Sequence, residues 1–177
     1  EADLDSLPLD VSTARRQFKK RFGMTFIQYA RARRLGMAEK QIHSGRSVIE
    51  AQQEAGYQSG SGFRDAFSQI MGASPQKFSG SPLLAAWIDT PLGPMVAVAD
   101  HAGLFLLEFI DRKGLAREVE QLQQKTKRPL LPGKIGLFDQ LQAELAGYFD
   151  GQLKHFKIPI SMIGTDFQKG VWQSLQE

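Results

Sequence analysis

The spacing of apolar residues changes once along the chain, near residue 80, and that change constrains the fold more than any other feature. Ahead of it apolar side chains recur every three or four residues, the period of a helix face. Behind it come short alternating runs rich in β-branched and aromatic residues, the period of a half-buried strand. Ser79, Gly80, Ser81 and Pro82 interrupt both patterns, which places a linker at about residues 77–83. The expected class is therefore α+β, with an all-α region leading and a mixed region following.

In the leading region Asp10 is positioned to cap a helix to about Arg21, with Val11, Ala14, Phe18 and Phe22 as its stripe and Gly23 as its stop. At about 100° per residue, Ser12, Arg15, Arg16 and Lys19 fall on faces away from that stripe. A longer helix is expected over Phe26–His43. "HSGRS" breaks it, and Ser47 with Glu50 forms a capping box opening a short helix to about Ala55. Gly56 supplies a tight turn and Tyr57 an apolar plug. A further helix is expected over about Ser59–Met71, built around Phe63, Phe67 and Ile70, with Ser61, Arg64 and Ser68 outward. A short helix, a glycine turn and a second helix with a polar outer face is the helix-turn-helix arrangement, whose second helix enters the major groove. The segment "DLDSLPLDVSTARRQFKKRFG" reads as the rear of another such unit, so a tandem is expected. Phe18, Phe22, Phe63 and Phe67 are read as core, not as base-stacking groups.

Charge supports a polyanionic partner for the leading region alone. Residues 1–80 hold twelve Lys/Arg against eight Asp/Glu, whereas 81–177 hold ten against eleven. Arg15, Arg16, Lys19, Lys20, Arg21, Arg31, Arg33 and Arg34 fall within twenty residues that contain no acidic side chain. Such a cluster can neutralise phosphates and gain affinity by counterion release, or it can be a solvated helix face; charge alone leaves both open. No apolar run reaches the roughly 18 residues a membrane helix needs, and no signal-peptide pattern opens the chain, so a cytoplasmic protein without a membrane partner is expected. The absence of cysteine removes disulfides, thiolate metal sites and a cysteine nucleophile from these 177 residues.

In the second region three β-rich runs, about 84–89, 94–100 and 103–110, are joined by "TPLGP" and "DHAG", which predicts an antiparallel meander. Helices are expected at about 114–125 and 136–149, with "HFKIPIS" as a short further strand. A last helix begins after Thr165, with Phe167, Val171, Trp172 and Leu175 on one side, an apolar surface that calls for a packing partner. His43, His101 and His155 lie far apart without ligand-like spacing and read as surface or structural residues. Asp89, Asp100 and Asp111 sit at strand ends, where turn and edge roles are routine.

The stretches "RRQFKKRFGMTFIQYARARRL" and "AGYQSGSGFRDAFSQIMGASPQKF" resemble the AraC/XylS-type DNA-binding domain, chiefly in the glycine-aromatic turn and the closing "GASPQKF". The second region, ending "GTDFQKGVWQSLQE", is similar to the ribonuclease H-like domain and first catalytic-domain helix of methylated-DNA-protein-cysteine methyltransferases. Both in this order resemble Ada-type adaptive-response proteins, which repair alkylated DNA and activate repair genes. The resemblance implies a helix-turn-helix domain over 1–78 that is truncated at its amino end, a ribonuclease H-like domain over 83–162, and the start of a truncated catalytic domain over 163–177. In that family a Pro-Cys-His-Arg thiolate takes the alkyl group from a flipped-out O6-alkylguanine, stoichiometrically. These residues hold no such motif, so a truncated, inactive product, without catalytic residues and with its last helix frayed or docked on a neighbour, is expected. No cofactor is expected here; zinc belongs to the cysteine-rich module that many Ada proteins carry ahead of this region. The implied partners are double-stranded DNA and RNA polymerase, with oligomeric state left open.

By the same resemblance, DNA contacts are assigned to Ser12, Thr13, Arg15, Arg16 and Lys19 in the first unit and to Ser61 and Arg64 in the second. Arginine can read guanine bidentately, and Lys19 suits phosphate. Two departures weaken the second unit: Asp65 stands where a basic residue is usual, and Gln52 replaces a small apolar residue at the close helix contact. The first unit is therefore expected to supply more of the affinity. The rival readings are an AraC-type regulator whose second half senses a ligand, and an enzyme using another nucleophile, for which no Ser-His or Lys-centred motif is present.

Overall fold

A computed structural model describes residues 10–22 and 24–174. The expected stop at Gly23, the side chain of Phe22 and the Leu175 end of the last apolar stripe lie outside the described residues. The chain divides into two compact units between Lys77 and Phe78.

The first unit holds four helices: α1 (Val11–Phe22), α2 (Phe26–His43), α3 (Val48–Glu54) and α4 (Gly60–Met71). Their starts follow from side-chain caps. Thr25 and Gln28 form a reciprocal capping box on α2, Ser47 and Glu50 form one on α3, and Ser59 accepts from the Gly62 amide to begin α4. Gly72, at φ +77°, closes α4 in the left-handed conformation that glycine adopts without strain. Leu35, Ala38, Ala51, Ala55, Phe63, Phe67 and Met71 are buried, and Phe63 and Phe67 are fully so. Each of those two rings contributes roughly 1.5–3 kcal/mol by leaving water. Phe18 departs from its core assignment: it is half-buried, edge-on to Phe26 and Tyr29 with centroids 5.4 and 5.5 Å away.

The second unit is a four-stranded sheet of order β3-β2-β1-β4, made of β1 (Leu83–Thr90), β2 (Gly93–Ala99), β3 (Leu104–Phe109) and β4 (Leu130–Pro132). The β1-β2-β3 meander is antiparallel as expected, with Trp87 opposite Val96 and Ala97 opposite Leu107. β4 pairs parallel to β1, Leu83 opposite Leu130. Three residues ending in Pro132 give too little alternation to read from sequence, and proline tolerates this place because the strand is an edge. Alternate residues of β2 serve opposite faces. Ala97 and Ala99 pack with Ile88, Phe138, Leu141 and Leu145, the last three from α6 (Gly136–Phe149), while Val96 and Val98 pack with Leu83, Leu115 and Leu122, the last two from α5 (Leu115–Thr126). The sheet is thus covered on both faces, and β2 is its buried centre.

The segment 155–161 is not a strand. It makes one parallel bridge, Ile160 to Leu104, in which the Leu104 amide donates to Pro159 O at 2.8 Å and the Ser161 amide donates to Leu104 O at 2.9 Å. Pro159 has no amide to donate, and the Glu144 carboxylate of α6 takes the Lys157 and Ile158 amides at 2.7 and 3.3 Å. With those donors spent on a helix, a ladder cannot extend. The last helix, α7 (Asp166–Ser174), opens on reciprocal Thr165–Gln168 hydrogen bonds and is formed over that span rather than frayed. Among the described residues no helix is long and apolar enough to cross a membrane.

Candidate nucleic-acid interface

The face of α1 opposite its packing stripe carries the first set of assigned contacts. Ser12, Arg15, Arg16 and Lys19 are exposed and Thr13 is half-buried. Asp10 holds the helix entrance: its carboxylate accepts from the Ser12 hydroxyl and from the Thr13 amide at 2.9 Å. The Ser12 hydroxyl, and then the Thr13 amide, hold the Asp10 carboxyl below its usual range. Two assigned residues are therefore part of the cap. One negative charge sits at the helix entrance, between about one and a half and two and a half turns before Arg15, Arg16 and Lys19, which complements the positive end of the helix dipole.

In the second unit of the expected tandem, Ser61 and Arg64 are exposed on α4 and Ser68 is half-buried. Asp65 is exposed beside Arg64, so the carboxylate that departs from the basic pattern does face solvent. Arg31 and Arg33 are exposed along α2, whereas Arg46 is ion-paired with Glu54 on α3.

The turn joining α3 and α4 shows what sequence reading missed. Arg34, counted there with the cationic cluster, lies over the Tyr57 ring, its Cζ 6.0 Å from the centroid. Gln52, read as a flaw at the helix contact, donates from Nε2 to Tyr57 O at 3.1 Å. Nothing in a one-dimensional pattern distinguishes Arg34 from Arg33; only the turn of α2 toward Tyr57 does.

Elsewhere the strand-end aspartates have separate environments. Asp100 accepts from the Ala102 and Gly103 amides at 2.8 and 3.1 Å and pairs with Arg128 Nη1 at 2.7 Å. Arg128 also donates to Ser81 O at 2.6 Å and Ser81 Oγ at 2.9 Å, tying the segment before β1 to the β2–β3 turn. Burial raises the Asp100 carboxyl, but the Arg128 and amide hydrogen bonds outweigh it and hold it below the usual range. Asp89 and Asp111 are exposed, as are His43, His101 and His155. Among the described residues no three His, Cys, Asp or Glu side chains are grouped to hold a metal.

Two parts of the chain match known protein families. Residues 5–81 match a helix-turn-helix domain model, and residues 83–162 match the 6-O-methylguanine DNA methyltransferase ribonuclease-like domain. Methylated-DNA–protein-cysteine methyltransferase of Methanosarcina barkeri is 30% identical over 91 residues, 51% of each chain. Its namesake in Mycobacterium leprae is 31% identical over 88 residues, 50% of this chain and 47% of the other. The crystal structure of Mycobacterium tuberculosis O6-methylguanine methyltransferase aligns at 26% identity with a TM-score of 0.38, over 53% of this chain and 50% of that one. The chain spans about half the length of the curated relatives it matches. The chain therefore joins a region similar to a helix-turn-helix domain to one similar to the ribonuclease-like domain of 6-O-methylguanine DNA methyltransferase. Each match covers less than half of the chain, and their order, a helix-turn-helix domain ahead of a methyltransferase ribonuclease-like domain, is consistent with an Ada-type fusion.

Proposed function

We propose that this chain binds duplex DNA in a sequence-specific manner as the regulatory part of an alkylation-response protein, and that α1 is its principal reading helix. The observation that carries this is the exposed Arg15–Arg16–Lys19 face on a capped helix within the helix-turn-helix match. Arginine on such a face donates bidentately to guanine O6 and N7, and lysine neutralises phosphate. On this reading α1 ends a first helix-turn-helix unit and α3–α4 form the second, weakened by Asp65. The domains then run 1–78, 83–162 and from 163 onward, the middle one serving as a ribonuclease H-like scaffold without nuclease chemistry. RNA polymerase is the partner that activation requires.

The parent protein would move alkyl groups from O6-alkylguanine to its own cysteine. These 177 residues contain no cysteine and cannot accept the group in that way. Incubated with duplex carrying radiolabelled O6-methylguanine, the chain should stay unlabelled, while a longer parent polypeptide holding the cysteine should be labelled on it. Label on this chain would contradict the proposal. For DNA reading, Arg15→Ala with Arg16→Ala should abolish specific binding in a mobility-shift titration. If binding survived that change while Arg64→Ala destroyed it, the ranking of the two units would be reversed.

A further inference from the structure

The turn between α3 and α4 is held from both sides, by Gln52 of α3 and by Arg34 of α2, whose side chain is exposed to solvent beyond its ring contact. Gly56 has φ +75°, a conformation that favours glycine, and a Cβ placed there would lie 3.3 Å from Arg34 Nη1. The same guanidinium lies over the Tyr57 ring, and that ring meets Phe63 of α4 edge-on with centroids 5.4 Å apart. Phe63 is fully buried. From α3, Gln52 O accepts from the Tyr57 amide and Gln52 Nε2 donates to Tyr57 O, both at 3.1 Å. Its Oε1 sits 3.4 Å from where a Cβ on Gly60 would be, so the larger side chain at the close contact is matched by a missing one at the first residue of α4.

We infer that Arg34 and Gln52 are positioning residues for α4: they grip Gly56–Tyr57 from α2 and α3 and so fix the angle at which Ser61 and Arg64 meet a duplex. Arg34 then leaves the set of phosphate contacts in which its sequence neighbours place it. Cation–ring stacking uses the flat guanidinium face, so a lysine at 34 keeps the charge but not the plane. A glutamine at 52 is tolerated because its amide satisfies a turn carbonyl and its bulk fills the space over Gly60. The inference rests on the reading that α4 faces DNA, and its test separates the two.

The test uses the full 177-residue chain and a duplex of about 30 base pairs selected on it from a randomised library. Arg34→Gln should weaken the selected duplex about tenfold, leave binding to an unselected duplex unchanged, and leave the slope of log affinity against log salt unchanged. A slope reduced by about one would mark Arg34 as a phosphate contact and overturn the inference. Arg34→Lys should behave like Arg34→Gln; full recovery by lysine would show that charge alone matters and would also overturn it. Independently of DNA, hydrogen exchange of the Gly62 and Phe63 amides, which donate to Ser59, should quicken in Arg34→Gln and in Gln52→Ala, and unchanged exchange in both refutes the grip. Should the wild-type chain bind no duplex, the DNA reading fails, and the exchange result still decides the positioning role.

Discussion

Two buried or half-buried charges make opposite contributions to the folded state. Glu39 on α2 is buried, and burial pushes its carboxyl above the ordinary 4.5 against a smaller opposing pull from His43. Folding therefore favours the protonated acid. That stability is fully present below 4.5 and is lost as pH rises through the raised value, so near neutrality the ionised form carries a cost. Glu39→Gln should raise the melting temperature of the helical unit near neutral pH, with the gain vanishing below 4.5; a gain that persists in acid would assign the effect to packing instead. Asp100 runs the other way. Its carboxyl is held low, so its stabilisation is present above the ordinary 3.8 and is lost as pH falls below it. Arg128→Met would strand that carboxylate at 17% exposure and release Ser81, and should cost about 2 kcal/mol in denaturant unfolding of the second unit. Neither role was legible in sequence. Glu39 reads as one more charge on a mixed helix, and the partners Asp100 and Arg128 are joined only by the pairing of β1 with β2 and β4.

At the scale of elements, legibility followed how locally each element is determined. The helices opened by Thr25, Ser47 and Ser59 carry their start signals within three residues; the capping box read at Ser47 and Glu50 is present, and the caps at Thr25 and Ser59 add to helix starts that were read from apolar spacing alone. The meander was legible because β1, β2 and β3 alternate and are joined by short turns. β4 and segment 155–161 were misread because their pairing depends on distant groups. β4 exists through its register with Leu83–Ala85, and the expected strand fails through the Glu144 carboxylate on α6. That attachment of segment 155–161 is also tight: a Cβ on Gly103 would lie 2.7 Å from Ser161 Oγ and 3.0 Å from Pro159 O. Gly103→Ala should cost roughly 1–3 kcal/mol by overpacking. Exchange of the Leu104 and Ser161 amides should quicken well before that of β2, and uniform change across the sheet would contradict the local account. The face of α7 belongs to the same scale, with Phe167, Val171 and Trp172 exposed while Thr165 and Gln168 cap its first turn reciprocally. Helix formation there rests on local bonds rather than on burial.

For the whole molecule the division of charge follows the boundary between the two matched domains. The positive excess lies in residues 1–80, the part that matches a helix-turn-helix domain, while residues 81–177 are nearly balanced. DNA affinity should therefore fall steeply with salt for the full chain, and most of that slope should disappear with Arg15, Arg16 and Lys19 replaced together. A slope unchanged by the triple replacement would move the phosphate surface elsewhere, Arg31 and Arg33 being among the other exposed cations, on α2. The order of the two domains was legible from the change in apolar period, and the identity of each from contiguous motif strings. The division of roles within the cationic cluster was not, because Arg34 differs from Arg33 only in what lies above it after folding. The most direct measurement is a crystal structure of the chain on its selected duplex. In it α1 should lie in a major groove with Arg15 or Arg16 hydrogen-bonded to base edges and Lys19 at a phosphate; α1 lying clear of the duplex, with those side chains in solvent, would refute α1 as the reading helix.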